Sequence, residues 1–248
     1  MRRWLISLVV LSFAVAFLLT LGDRTHTVTA EPDPLNGKHI CLDPGHGGTQ
    51  PGAVNGTLLE KEINLDEALY LRDMWESRGA TVTMTREGDE TKSIRDRYSK
   101  CNDVKADILV SVHTNSVSDP SINGSLSIYF QGEDKVLAGA VHEIMYPALK
   151  VAAPEQDNFT NFGLKKDALG VLLKSKMPSV VVEPVFMSNT GEEGLLQTAI
   201  ADCDLVEQCR RLEIANTIID GVDNYFLNYA GQEPEGPGNG RGRGNRPR

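Results

Sequence analysis

Aromatic residues make up only 6% of this 248-residue chain, and its five histidines and four cysteines are thinly spread. Four cysteines do not make a disulfide scaffold, and neither Cys-x-x-Cys nor any zinc-finger spacing occurs. No GxGxxG and no Gly-Lys-Ser/Thr is present, which excludes the common nucleotide loops. His142-Glu143 has no second histidine four residues on, so the metalloprotease helix motif is absent. No internal repeat recurs, and no apolar run from residue 31 onward approaches bilayer-spanning length. Positive charge is also short. The net charge is -9, and because residues 1–30 and 232–248 are each net +2, residues 31–231 carry -13. A body this anionic does not hold nucleic acid through general electrostatics, so no nucleic-acid partner is expected.

What is present is an ordinary globular composition, 40% hydrophobic and 24% charged. The chain opens Met1-Arg2-Arg3, continues with an apolar run from Trp4 to Leu21, and reaches Val28-Thr29-Ala30. A basic start, an apolar core and small residues at the -3 and -1 positions predict a secretory signal over residues 1–30. The run is also near spanning length, so an N-terminal membrane anchor is the alternative. In either case the remainder is expected outside the membrane: secreted, periplasmic or cell-wall associated. Residues 231–248 mix Gly, Pro, Arg and Asn without apolar periodicity, the composition of a disordered tail. One domain is expected over residues 31–230.

Within that domain, β-branched runs alternate with helical patterns, the mark of an α/β sheet with helices on its faces. Strands are predicted near 38–43, 80–85, 107–113, 125–130 and 179–184, with a weaker one near 163–173. Helices are predicted over 61–78, 93–104, 134–150 and 205–228, the second opened by Ser93 as N-cap. Cysteine connectivity is not legible. A Cys203–Cys209 bridge requires Cys203 to precede the last helix, since six positions along one helix place the two on different faces. Asn55, Asn123 and Asn158 match Asn-x-Ser/Thr, a pattern short enough to arise by chance.

Of the histidines, His26 falls in the export segment, and His39 and His142 read as structural. His46 stands in Leu42-Asp43-Pro44-Gly45-His46-Gly47-Gly48 directly after an apolar strand, where three glycines allow either a tight turn or a close approach to a ligand. His113 ends the strand starting at Asp107, at the carboxyl end where open α/β sheets bind ligands. Glu183 closes Ser179-Val180-Val181-Val182-Glu183, and a carboxylate ending a buried apolar strand needs a partner or a metal. Glu60 falls where a loop meets the first turn of a helix, which suits a negative side chain. Two histidines, a carboxylate and a spare carboxylate are the inventory of a catalytic zinc site: three ligands, an acidified water, and a glutamate to move its proton.

These residues resemble the zinc-dependent N-acetylmuramoyl-L-alanine amidases of the amidase_3 type over roughly residues 38–228. The likeness rests on the His46 block above; Pro51-Gly52-Ala53 and Glu60-Lys61-Glu62-Ile63-Asn64-Leu65; Thr85-Arg86; Arg97 with Asn102; Ala106-Asp107 through Ser111-Val112-His113-Thr114-Asn115; and Val182-Glu183-Pro184-Val185-Phe186-Met187-Ser188-Asn189. The resemblance implies a three-layer α/β/α fold with a mixed, mostly parallel sheet of about six strands. It implies His46, Glu60 and His113 as zinc ligands and Glu183 as the catalytic glutamate. The implied reaction is hydrolysis of the amide between N-acetylmuramic acid and the L-alanine of the stem peptide, on peptidoglycan or muropeptides; separately, a monomer is expected. Departures are Val185 two residues after the glutamate, where the family usually has Gly, Pro184 directly after it, and Cys101 in place of a small Ala. Rival readings are a zinc hydrolase of another amide and a non-catalytic wall-binding protein of the same fold. No self-blocking helical insertion and no wall-binding repeat is evident.

Overall fold

The computed structural model describes residues 32–206 and 208–232; the expected export segment and nearly all of the expected tail lie outside the described residues. Eight strands are present among them: β1 (His39–Pro44), β2 (Val54–Asn55), β3 (Leu58–Leu59), β4 (Thr81–Met84), β5 (Ile108–Val112), β6 (Asn123–Tyr129), β7 (Phe159–Lys166) and β8 (Ser179–Glu183). The helices are α1 (Glu60–Ser77), α2 (Ile94–Val104), α3 (Gly132–Val151), α4 (Gly170–Lys174), α5 (Thr190–Leu195) and α6 (Arg210–Asn228). Six strands form one sheet in the order β4-β1-β5-β8-β6-β7, and β2 and β3 form a small hairpin. β4, β1, β5 and β8 are mutually parallel, β6 runs antiparallel to β8, and β7 is parallel to β6. The sheet is therefore mixed and mostly parallel, as expected.

The central strands read as continuous apolar runs because both their faces are covered. Alternate residues go to opposite sides. Ile40, Leu42, Ile108, Val110, Val112, Val180 and Val182 join the larger core with Leu71 and Trp75 of α1, Leu137 and Met145 of α3, and Ile214 and Ile218 of α6. Cys41, Leu109 and Val181 join a smaller core with Cys101 of α2 and Leu172 of α4. α3 and α6 approach closely at Gly221, where a Cβ would lie 2.8 Å from Val141 Cα. Ser93 caps α2 as expected: its hydroxyl accepts from Asp96 N, and the Asp96 carboxylate returns the bond to the Ser93 backbone.

Two local expectations need correction. The weaker strand lies at 159–166 rather than 163–173, and Gly170–Lys174 is the short helix α4. The last helix starts at Arg210, not 205, because Ile200–Leu205 forms a 3-10 turn first. Cys203 thus precedes the helix and Cys209 caps it, so the Cys203–Cys209 disulfide forms across the turn. The second disulfide, Cys41–Cys101, joins β1 to α2. Among the described residues no helix is long and apolar enough to cross a membrane.

Candidate metal centre and active site

β1, β5 and β8 are parallel neighbours, so their carboxyl ends meet at one edge of the sheet. That edge carries His46 two residues beyond β1, His113 directly after β5, and Glu183 at the end of β8. Glu60 reaches the same place as the first residue of α1, entered through the β2–β3 hairpin. Donor atoms of His46, Glu60 and His113 all lie within 4.8 Å of one another.

Glu60 is the hub of this group and is only 6% exposed. Its Oε2 stands 3.1 Å from His46 Nε2 and accepts from Ala53 N at 2.8 Å. Its Oε1 stands 2.9 Å from His113 Nδ1 and accepts from Thr114 N at 3.3 Å and Asn64 Nδ2 at 3.4 Å. Two glycines make room. A Cβ on Gly52 would come within 2.5 Å of Glu60 Oε2, and one on Gly45 within 2.3 Å of the His113 ring. Burial works against ionised Glu60, but hydrogen bonds and charge from His113 and His46 outweigh it and hold the carboxyl far below the usual range. Burial also works against a charged His113, and the bond and charge of Glu60 overcome it to raise the imidazole. Two imidazoles and an ionised carboxylate converging on one point are a donor set that fits a divalent metal such as zinc.

His46 has φ 61, a left-handed backbone that a non-glycine residue adopts at a cost. Two buried arginines hold it there. Arg97 donates to Pro44 O at 2.7 Å and to His46 O, and pairs with Asp43 at 2.8 Å. Arg86 donates to Pro44 O at 3.0 Å and to Gly45 O and Lys61 O at 2.8 Å. Asp43 anchors the clamp and also accepts from Thr85 and Ser111. Burial would raise its carboxyl, yet the Arg97 charge and the hydrogen bonds keep it below its ordinary value. Burial, helped by the Arg97 charge, lowers Arg86 to about 10, so it stays charged at neutral pH.

Glu183 is not one of the clustered donors. Burial raises its carboxyl; His113, Lys165 and His46 oppose that, while the Glu60 charge adds to it. His39 and His142 are structural, as expected: His39 Nε2 bonds Thr83 Oγ1 at 2.8 Å, and His142 bridges Ser127 and Asn161. Asn123 is buried and donates to Glu192 at 2.9 Å, so its Asn-x-Ser match reflects packing. The sequence motifs contained Asp43, Arg86 and Arg97 but gave them no role. Asp43 had a signal, since it ends an apolar strand just as Glu183 does.

The family model of Amidase_3, N-acetylmuramoyl-L-alanine amidase, matches residues 40–211, a span that holds all four candidate site residues. The chain belongs to the Amidase_3 family. The N-acetylmuramoyl-L-alanine amidase LytC of Bacillus subtilis (strain 168) is 31% identical over 194 residues, covering 78% of this chain and 36% of its own. The probable cell wall amidase LytH of Staphylococcus aureus is 31% identical over 201 residues, covering 80% of this chain and 62% of its own. The chain thus spans about a third to three-fifths of these relatives. The catalytic domain of the amidase CwlV from Bacillus (Paenibacillus) polymyxa var. colistinus superposes with TM-score 0.66 at 27% identity, covering 77% of this chain and 98% of that domain.

Proposed function

We propose that this Amidase_3 member is a zinc-dependent N-acetylmuramoyl-L-alanine amidase. It cleaves the amide between the lactyl group of N-acetylmuramic acid and the L-alanine of the stem peptide. The observation that carries this reading is the convergence of His46, Glu60 and His113 donors within 4.8 Å at the sheet edge that Glu183 also shares. In this reading His46, Glu60 and His113 hold the ion and Glu183 is the catalytic residue. Bound there, zinc supplies Lewis acidity toward an attacking water and the scissile carbonyl. The protein does the rest. The Arg86–Arg97–Asp43 clamp fixes His46 in its strained backbone and so pre-sets the direction of its imidazole. Glu183, its carboxyl raised toward the working pH by burial, takes the proton of the attacking water and returns it to the departing L-alanine amine.

The catalytic unit is residues 31–230, preceded by a signal or retained anchor over residues 1–30 and followed by a tail over 231–248. Export to the cell wall, with peptidoglycan or muropeptides as substrate and the chain acting as a monomer, completes the proposal. The relatives' descriptions as amidases, one of them a probable cell wall amidase, support it. Incubation of the purified protein with peptidoglycan, with and without chelator, tests it by mass spectrometry of the products. Chelator-sensitive release of stem peptides bearing a free L-alanine amine is expected. Release that survives metal removal, or cleavage only within the peptide, would contradict it.

A further inference from the structure

Beside Glu183 the sheet continues into two strands with a partly open face. Glu183 pairs with Leu126 of β6, and Leu126 with Gly163 of β7, so the three stand side by side across roughly 10 Å. Paired residues share a face of the sheet, and Lys165, two positions beyond Gly163 and paired with Ile128, shares it too. Leu126 and Ile128 belong to the smaller core, which fixes this as the side on which α2 and α4 lie.

β7 is irregular at one point. Ser125 pairs with Asn161 and the next residue, Leu126, with Gly163, so Phe162 is the extra residue of a β-bulge. The bulge takes Phe162 out of the strand alternation and lays its ring over Gly124, where a Cβ would come within 2.9 Å of Phe162 Cε2. The ring also packs 5.4 Å from that of Phe186, which follows Glu183 by three residues. Despite both partners Phe162 remains 42% exposed. A bulge, a glycine and a second ring therefore hold a large aromatic half in solvent beside Phe186, three residues after Glu183.

Lys165 lies on the other side of Gly163. Its side chain is 57% exposed and pairs with Asp167 at 2.9 Å, an exposed contact that contributes little and is readily exchanged. The Lys165 charge reaches Glu183. On a body of net charge -13, a cation beside the site is what an anionic substrate requires.

Resting on the amidase reading, we propose that Phe162 and Lys165 form the stem-peptide subsite. Phe162 packs against the apolar surface of the muramoyl–alanine junction, and Lys165 pairs with the free α-carboxylate of the acidic residue that follows L-alanine. That carboxylate sits about one residue, ~4 Å of chain, beyond the cleaved bond. The remainder of the roughly 10 Å from Glu183 to β7 is bridged by the long, exposed Lys165 side chain.

The probes are two muramyl tripeptides that differ only in that α-carboxylate, free in one and amidated in the other. Cleavage by the full chain and binding to its Glu183→Gln variant are both measured. Phe162→Ala is expected to weaken binding and kcat/KM for both probes roughly five- to tenfold, with Phe162→Trp restoring them and the melting temperature unchanged. Lys165→Gln is expected to remove a two- to fivefold preference for the free carboxylate, about the size of one exposed ion pair. Equal affinity of both variants and their parent for both probes would overturn the subsite, even if the parent cleaves normally. If the parent binds the probes but cuts no muramoyl amide, the amidase reading falls, and the binding comparison still decides the subsite. Absence of binding to the parent would overturn it as well.

Discussion

Asp43 with Arg97 and Glu192 with Arg210 are both ion pairs taken almost wholly out of water, each at 2.8 Å. They use their hydrogen bonds differently. Arg97 spends its remaining donors on the carbonyls of Pro44 and His46, inside the loop that presents His46. Arg210 grips both oxygens of Glu192, adds Glu213 and Leu149 O, and so ties α6 to α5 and α3. One pair positions a donor of the candidate metal group; the other fastens secondary structure. Buried ion pairs are costly to desolvate and weak as net stabilisers, but removing one partner leaves an uncompensated charge. Equal burial therefore does not mean equal consequence for function.

Arg97→Ala and Arg210→Ala should separate the two ion pairs most visibly. Each is expected to cost about 3–5 kcal/mol of stability in denaturant melts. Zinc affinity of the folded fraction should fall only in Arg97→Ala, because only there does the His46 loop lose its clamp. The disulfides sharpen the same contrast. Cys41–Cys101 closes 60 residues and ties β1 to the helix bearing Arg97, whereas Cys203–Cys209 closes six. In the chain-entropy picture their removal costs about 4 and about 2 kcal/mol respectively. Replacing the first pair with alanine should also lower zinc affinity, and replacing the second should not.

A pH-dependent effect concerns Glu67 of α1, fully buried with no hydrogen-bond partner for either oxygen. Burial raises its carboxyl well above 4.5; Arg211 and Arg210 pull it down, and Asp66 adds to the rise. A carboxyl raised on folding contributes stability fully below its unfolded value and loses it as pH rises through the folded value. Glu67→Gln should therefore flatten the alkaline side of the stability profile, gaining about 1–3 kcal/mol at pH 8 relative to the parent and little at pH 4.5. Parallel pH profiles for the two proteins would contradict that assignment.

Much of the sheet is legible because Ile108–Val110 and Val180–Val182 are unbroken apolar runs, the pattern of strands covered on both faces. Ser93 as N-cap announces α2 in the same direct way. β7 is misplaced because it is an edge strand, mostly exposed, with a bulge at Phe162 that destroys the period of two. The start of α6 is displaced because the 3-10 turn before it ends in a crosslink whose partners the sequence does not reveal. In the site, the donors are visible from their positions at strand ends and among glycines. Arg86 and Arg97 are not, since a buried arginine in a charged stretch reads like any solvated one until its carbonyl partners are located.

In the proposed reading His46, Glu60 and His113 hold the metal while Glu183 acts on the substrate without holding it. Zinc content and muropeptide cleavage measured together on Glu183→Ala test this most directly. About one zinc per chain, as in the parent, with turnover reduced about a thousandfold is the expected result. Loss of the zinc from Glu183→Ala, or turnover equal to the parent, would contradict the division of roles.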